Sequence, residues 1–478
     1  MKLTRNKLLT LALALFFAAV PLLGCGDGGL GGGGGGKGGF QEYAEAEAFR
    51  FYAYMTPPPA NVGSDGDLVS NPDYMTPQQY AWIDECGFNY AVPIYEKSMD
   101  DHLKTMDGLE PYGIGYFPID GSAIHVLGNV NGGMSVDAPA ILEGRAKMEI
   151  NIAEYKKRTN FAGLYLSDEP STADFPGIKA AADFLHEIAG PEYEAWVNVH
   201  PNSVPPAYVQ ATDYMDYISR YARETGISRV SFDSYALFEN GGLRSAHFAN
   251  LAQIAAVAKA NDMRFDSFIL TMGHHTYRTP DNYDDIAWQI YASMAFGASG
   301  IQTFTYWTTM THGENVTYGL VDHYGNRTQV WYSMQEVIKE VKAFEKMYMN
   351  SEWKGVLRYS ADGDYNDLLD TIADEIEPYA GEGAIPVALD GYPRIANMKA
   401  NRDFMMGVFE DKDGRDAFLL CNISDPDDDL DNTVTLKFNN ATKAVIYKKG
   451  RKVMVNLKNG TFTTKIGSGE GYYIIPLE

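Results

Sequence analysis

Gly163-Leu164-Tyr165-Leu166-Ser167-Asp168-Glu169-Pro170 reads as one short strand, and apolar residues recurring at spacings of three and four over 178–188 read as the helix after it. That pair is one βα unit. Outward from it, short β-branched or aromatic runs alternate with amphipathic stretches. Strands are expected at 49–55, 88–95, 113–119, 162–167, 195–200, 229–235, 266–272 and 300–307, each followed by a helical stretch. The clearest helices are 138–157, 178–188, 243–260, 283–296 and 329–347. Eight pairs in succession, with no glycine-rich phosphate loop between any strand and its helix, predict an α/β fold of the (β/α)8 (TIM) barrel type and not an open doubly wound sheet. Beyond residue 350 the helical periodicity fades. Alternating segments at 405–409, 417–423, 433–438, 444–447, 453–457 and 472–475, separated by Gly, Asp and Asn turns, predict a small antiparallel β-sandwich.

Composition narrows the partners. Lys and Arg number 39 against 63 Asp and Glu, a net charge of −24 that repels phosphate backbones, so no nucleic-acid partner is expected. Of the 47 glycines, 12 fall between Gly24 and Gly39, just after Lys2, Arg5, Lys7 and an apolar run over 8–23. The run reads as a secretory signal and the glycines as a flexible tether. Leu22-Leu23-Gly24-Cys25 resembles the lipobox of bacterial lipoproteins. That resemblance implies a lipid on Cys25, export across the inner membrane, and attachment to the outer membrane or cell surface by the lipid alone, facing periplasm or exterior. The expected organisation is a signal peptide at 1–24, a linker at 25–39, the barrel at 40–350 and the β-domain at 351–478. Cys86 and Cys421 fall in different domains, so no disulfide is expected. Metal-site spacings are not found and no cofactor is expected. The acidic run 425–431 reads as a solvated loop, since its spacing does not match a calcium loop.

In a barrel of this kind the chemistry sits at the carboxyl ends of the strands. Period two on strand four places Leu164 and Leu166 against the helices and turns Tyr165, Ser167 and Glu169 inward, with Asp168 facing outward unless a bulge re-aims it. On strand six Ser231, Asp233 and Tyr235 face inward. On strand five Asn198 and His200 do. Tyr54 and Tyr95 from strands one and two, His275 after strand seven, and Tyr306 or Trp307 from strand eight complete the candidate substrate-binding set. Glu169, Asp168 and Asp233 are the candidate catalytic carboxylates. Aromatic planes beside hydroxyl-binding groups suit sugar rings, and paired carboxylates suit hydrolysis of a glycosidic bond.

Gly163 to Pro170, and the stretch from Gly300 through Tyr306-Trp307 to Tyr318-Gly319-Leu320-Val321-Asp322, resemble the strand-four motif and the last strand and loop of (β/α)8 glycoside hydrolases of gut-type bacteria. The resemblance implies a carbohydrate substrate and Glu169 as general acid. The chain departs from the clan related to β-galactosidases at two places: Asp168 stands where that clan carries asparagine, and the end of strand seven has no carboxylate. Adjacent Asp-Glu is similar to the N-acetylhexosaminidases of families 20 and 123, which implies Asp168, with Asp233 and Tyr235, steadying a substrate acetamide. A pair formed by Glu169 and Asp233 across strands four and six is a further arrangement, and a surface carbohydrate-binding protein on a barrel without its nucleophile is the non-catalytic alternative.

Overall fold

A computed structural model describes residues 40–61, 70–123, 138–309, 316–379 and 383–478. The expected signal, Cys25 and glycine-rich linker lie outside the described residues. Eight parallel strands, β1 (Arg50–Tyr54), β2 (Tyr90–Val92), β3 (Gly115–Tyr116), β4 (Gly163–Asp168), β5 (Glu194–Val199), β6 (Arg229–Asp233), β7 (Arg264–Leu270) and β8 (Gly300–Phe304), run in the order β3-β2-β1-β8-β7-β6-β5-β4. Single parallel bridges, Tyr116 to Phe161 and Ile119 to Tyr165, close the seam between β3 and β4. The helices are α1 (Pro77–Cys86), α2 (Met99–Leu109), α3 (Pro139–Tyr155), α4 (Phe175–Ile188), α5 (Tyr214–Thr225), α6 (Ala246–Ala260), α7 (Tyr283–Ala295) and α8 (Gln329–Lys342), one after each strand in turn. This is the (β/α)8 barrel expected from the alternation.

The helices start where side chains satisfy their first free N–H groups. Thr76, Asp213 and Asn282 accept from the backbone N–H three residues on, and Ser98 with Asp101 forms a capping box. The first residue of β4, Gly163, packs so closely on β5 that a Cβ there would lie 1.9 Å from the Glu194 carbonyl oxygen. The end of the barrel away from the strand C-termini is plugged by charge. Arg50 grips Glu194 through two contacts of 2.7 and 2.6 Å, and Arg229 meets Asp266 at 2.7 Å. Tyr52 donates to the same fully buried Asp266 at 2.8 Å.

Ser351 begins the β-domain. Its larger sheet holds β9 (Ser351–Tyr359), β12 (Ala388–Leu389), β14 (Phe404–Asp411), β15 (Asp416–Asn422), β17 (Lys443–Lys448), β18 (Arg451–Asn456) and β20 (Gly471–Leu477). The smaller sheet holds β13 (Ile395–Ala400), β16 (Asn432–Phe438) and β19 (Thr461–Ile466), and a separate pair joins β10 (Glu375–Ile376) to β11 (Ile385–Pro386). Pairing is antiparallel except where β12 joins β9. Phe404, Val408, Phe418, Leu436, Ile466 and Ile474 fill the core.

The barrel and this domain belong to one compact unit, Glu42–Glu478. Gly407 lets β14 lie against α7, since a Cβ would fall 2.5 Å from the Ala295 carbonyl. Trp353 Nε1 donates to that same carbonyl at 3.0 Å. Part of the acidic run expected to be a solvated loop is instead an anchor: Asp425 and Asp427 pair with Arg278, which also holds Asp285 at 2.6 Å. Arg278 sits on the β7–α7 loop, so the β-domain braces one wall of the barrel mouth. Cys86 and Cys421 are buried free thiols.

Candidate active site

Strand four decides the site through one irregularity. Tyr165 pairs with Trp196, but Ser167 pairs with Val197 and Asp168 with Asn198, so Leu166 is an extra residue with no partner on β5. Such a bulge resets the alternation downstream. Strict period two turns Asp168 outward; the bulge brings it inward beside Asn198. The chain then turns sharply at Glu169, whose φ is +49°, in the left-handed region that non-glycine residues rarely adopt. The Glu169 N–H still donates to the Asn198 carbonyl at 2.8 Å. The turn delivers Glu169 to the rim, where its Oε1 lies 3.2 Å from His200 Nδ1. Both acids of the adjacent pair reach the mouth, and both are exposed there. The bulge on which an inward Asp168 depends is therefore present.

Asn198 organises the floor. Its Nδ2 donates to Asp168 Oδ1 at 3.1 Å and to Asp233 Oδ1 at 3.2 Å. Because both oxygens sit about 3 Å from one nitrogen, they are no further apart than roughly twice that distance. The amide orientation is fixed from below. Gln302 Nε2 donates to Ser231 Oγ at 2.6 Å, which commits the Ser231 hydroxyl to donate onward to Asn198 Oδ1 at 2.8 Å. With its oxygen occupied, Asn198 presents only N–H to the carboxylates.

Charge and burial then separate the acids. Burial, followed by the neighbouring charges of Glu169 and Asp168, pushes Asp233 up to about 7 against the restraint of the Asn198 hydrogen bond. Asp168 is raised too, by burial first and the Glu169 charge second, while Asn198 and Tyr165 pull it back. The Asp168 residue is nevertheless exposed at the mouth. His200 is buried beneath the rim; its Nδ1 faces Glu169, and its Nε2 has no hydrogen-bond partner among the described residues.

Aromatic rings make the remaining wall. Tyr54 packs edge-on to Phe268 at 5.1 Å and lies within hydrogen-bond reach of Tyr165. Tyr235 contacts Phe304 at 5.6 Å and His274 at 5.5 Å. His275 is exposed on the rim in a left-handed conformation. Tyr54, Asn198, His200 and Tyr235 thus gather around Asp168, Glu169 and Asp233.

Three expected contacts do not gather there. Tyr306 is fully buried against Phe88 under the helices, Trp307 is fully buried with Tyr74 at 4.7 Å, and Tyr95 is fully buried with its hydroxyl on Met55 Sδ. Strand eight instead presents Phe304, which parity counted from Gln302 identifies. Tyr208, 69% exposed and edge-on to His200 at 5.4 Å, lies on a loop that carries no sequence signal. Asp266 of β7 does point inward, but at the plugged end of the barrel.

The chain superposes along most of its length on solved glycoside hydrolases. An Anoxybacillus α-amylase matches at TM-score 0.50 and 10% identity, covering 90% of this chain and 98% of that one. A family 39 glycoside hydrolase from the gut symbiont Bacteroides cellulosilyticus WH2 matches at TM-score 0.48 and 12% identity, covering 90% and 81%. A family 30 endoxylanase from Clostridium papyrosolvens C71 matches at 0.44 and 10%, covering 91% and 97%. The likeness is one of fold. Neither a protein-family model nor a curated protein matches the sequence.

Proposed function

We propose that this protein is a glycoside hydrolase that cleaves O-glycosyl bonds of a carbohydrate substrate with Asp168 and Asp233 as its working pair. The observation that carries the reading is the single Asn198 amide shared by these two carboxylates on the floor of an aromatic mouth. Two carboxyl groups about 5 Å apart suit retention with a protein nucleophile, and roughly 6.5 Å or more suits inversion through water. The shared amide, which keeps the two Oδ1 atoms within about 6 Å of each other, favours the shorter range. Asp233, carrying its proton near neutral pH, donates it to the departing oxygen as the C–O bond breaks. Asp168 attacks the anomeric carbon and forms a glycosyl ester. Asp233, now ionised, takes a proton from water, which attacks the same carbon and frees Asp168.

This moves the acid role from Glu169, expected from the strand-four motif, to Asp233. A second reading keeps Glu169 as acid and uses Asp168, Asp233 and Tyr235 to hold a substrate acetamide. The exposed position of Glu169 beside His200 favours it. The chain is further proposed to be a lipoprotein, carrying a lipid on Cys25 and acting outside the cytoplasm.

An aryl-glycoside panel tests both readings with the full chain. If the Asp pair works, Asp168→Asn and Asp233→Asn each lose about 10³-fold or more in kcat/KM, Asp233→Asn recovers on 2,4-dinitrophenyl leaving groups that need no acid, and Glu169→Gln loses less. The acetamide reading requires Glu169→Gln to be the worst variant, on N-acetylhexosaminides alone. Glycan binding without turnover by the wild type sinks both and leaves the carbohydrate-binding alternative.

A further inference from the structure

The loops after β6 and β7 form a second feature on the same face of the barrel, an open cleft of about 490 Å³ lined by Phe238, Glu239, Asn240 and Thr276. Its volume is in the range of small-ligand pockets. The cleft is built: Glu239 N–H donates to the Thr276 carbonyl at 2.7 Å, joining the two loops, and the Phe238 and Tyr277 rings stack 10° from parallel at 5.9 Å. Arg244 lies over both rings at 5.5 and 5.6 Å while its Nε donates to the Tyr235 carbonyl at 2.9 Å. Tyr277 in turn touches the Tyr235 ring at 5.5 Å, so a continuous row of aromatic side chains leads from the carboxylate floor to Phe238.

We infer that this cleft is a second sugar-binding subsite, taking a neutral pyranose unit of the chain whose scissile bond lies over Asp168 and Asp233. The inference rests on the glycosidase reading for its substrate class. Half-exposed Phe238 offers apolar surface to the sugar's C–H groups, and exposed Glu239 and Asn240 offer a carboxylate and an amide to its hydroxyls. A carboxylate on a chain of net charge −24 selects against uronic and sulfated residues.

The test is an array of neutral, uronic and sulfated oligosaccharides of two to four units, probed with the full-length wild type, Glu239→Gln, Glu239→Lys and Phe238→Ala. Wild type should bind neutral oligosaccharides, Glu239→Gln and Phe238→Ala should weaken that binding about tenfold, and Glu239→Lys should gain uronic ligands. Exposed Glu239 makes its variants safe for folding. Unchanged binding in the Glu239 variants, a wild-type preference for uronic or sulfated chains, or no wild-type binding at millimolar ligand overturns the subsite. Aryl-glycoside turnover is scored separately. Turnover without the array effect removes the subsite alone, and the array effect without turnover removes the hydrolase reading alone.

Discussion

Asp233→Asn should make the protein more stable at alkaline pH while removing its function. An aspartate moved from 3.8 to about 7 prefers its neutral form by about 4 kcal/mol. Water still reaches the half-buried carboxylate, so about 2 kcal/mol is the expected share. Because the folded chain binds this proton more tightly than the unfolded chain, the associated stability is fully present below 3.8 and is lost as pH rises through 7. Asparagine keeps the shape, still accepts from Asn198 and carries no charge. Urea unfolding of wild type and variant at about pH 4 and about pH 8 reads the effect. The curves should nearly coincide in acid, and the variant should lead by about 2 kcal/mol in base. A stability difference that does not change with pH refutes the account of Asp233 as a carboxyl kept protonated by burial and its two acidic neighbours.

Removing the shared donor tests the floor. Asn198→Ala should lower kcat about 10²-fold and move the acidic limb of the pH–rate profile upward, because the Asn198 hydrogen bond lowers both aspartates; an unmoved limb removes Asn198 as a positioning residue. At the plugged end, Asp266→Ala leaves Arg229 and Tyr52 without their buried acceptor and should cost about 3–5 kcal/mol in urea unfolding. Arg278→Ala strands the buried Asp285 and frees Asp425 and Asp427, with an expected loss of about 3 kcal/mol and a lower melting temperature. An unchanged melting temperature contradicts the brace.

The barrel was legible because its signal is repeated. Each βα unit restates the same change of period, and each inward position on strands five and six follows from counting by two. Asn198, His200, Asp233 and Tyr235 were found that way. Asp168 is a candidate from its place beside Glu169, but counting by two does not orient it, because the bulge at Leu166 leaves no mark in residue types: leucine suits the helix layer in either register. The left-handed turn at Glu169 is equally silent, since Glu carries no preference for it. Tyr306 and Trp307 misled because aromatic residues serve cores as readily as sugar platforms, and strand eight ends at Phe304, before either. The shared hydrogen bonds of Asn198 depend on three strands meeting, which no local pattern records.

Covalent trapping tests the central claim most directly. Full-length protein is incubated with a panel of activated fluorosugars, whose fluorine slows hydrolysis of the glycosyl ester, then digested and mapped by mass spectrometry. The account gives one labelled peptide, spanning Gly163 to Pro170, with the sugar on Asp168. A label on Glu169 or Asp233, or turnover of the matching aryl glycoside with no label at all, contradicts it.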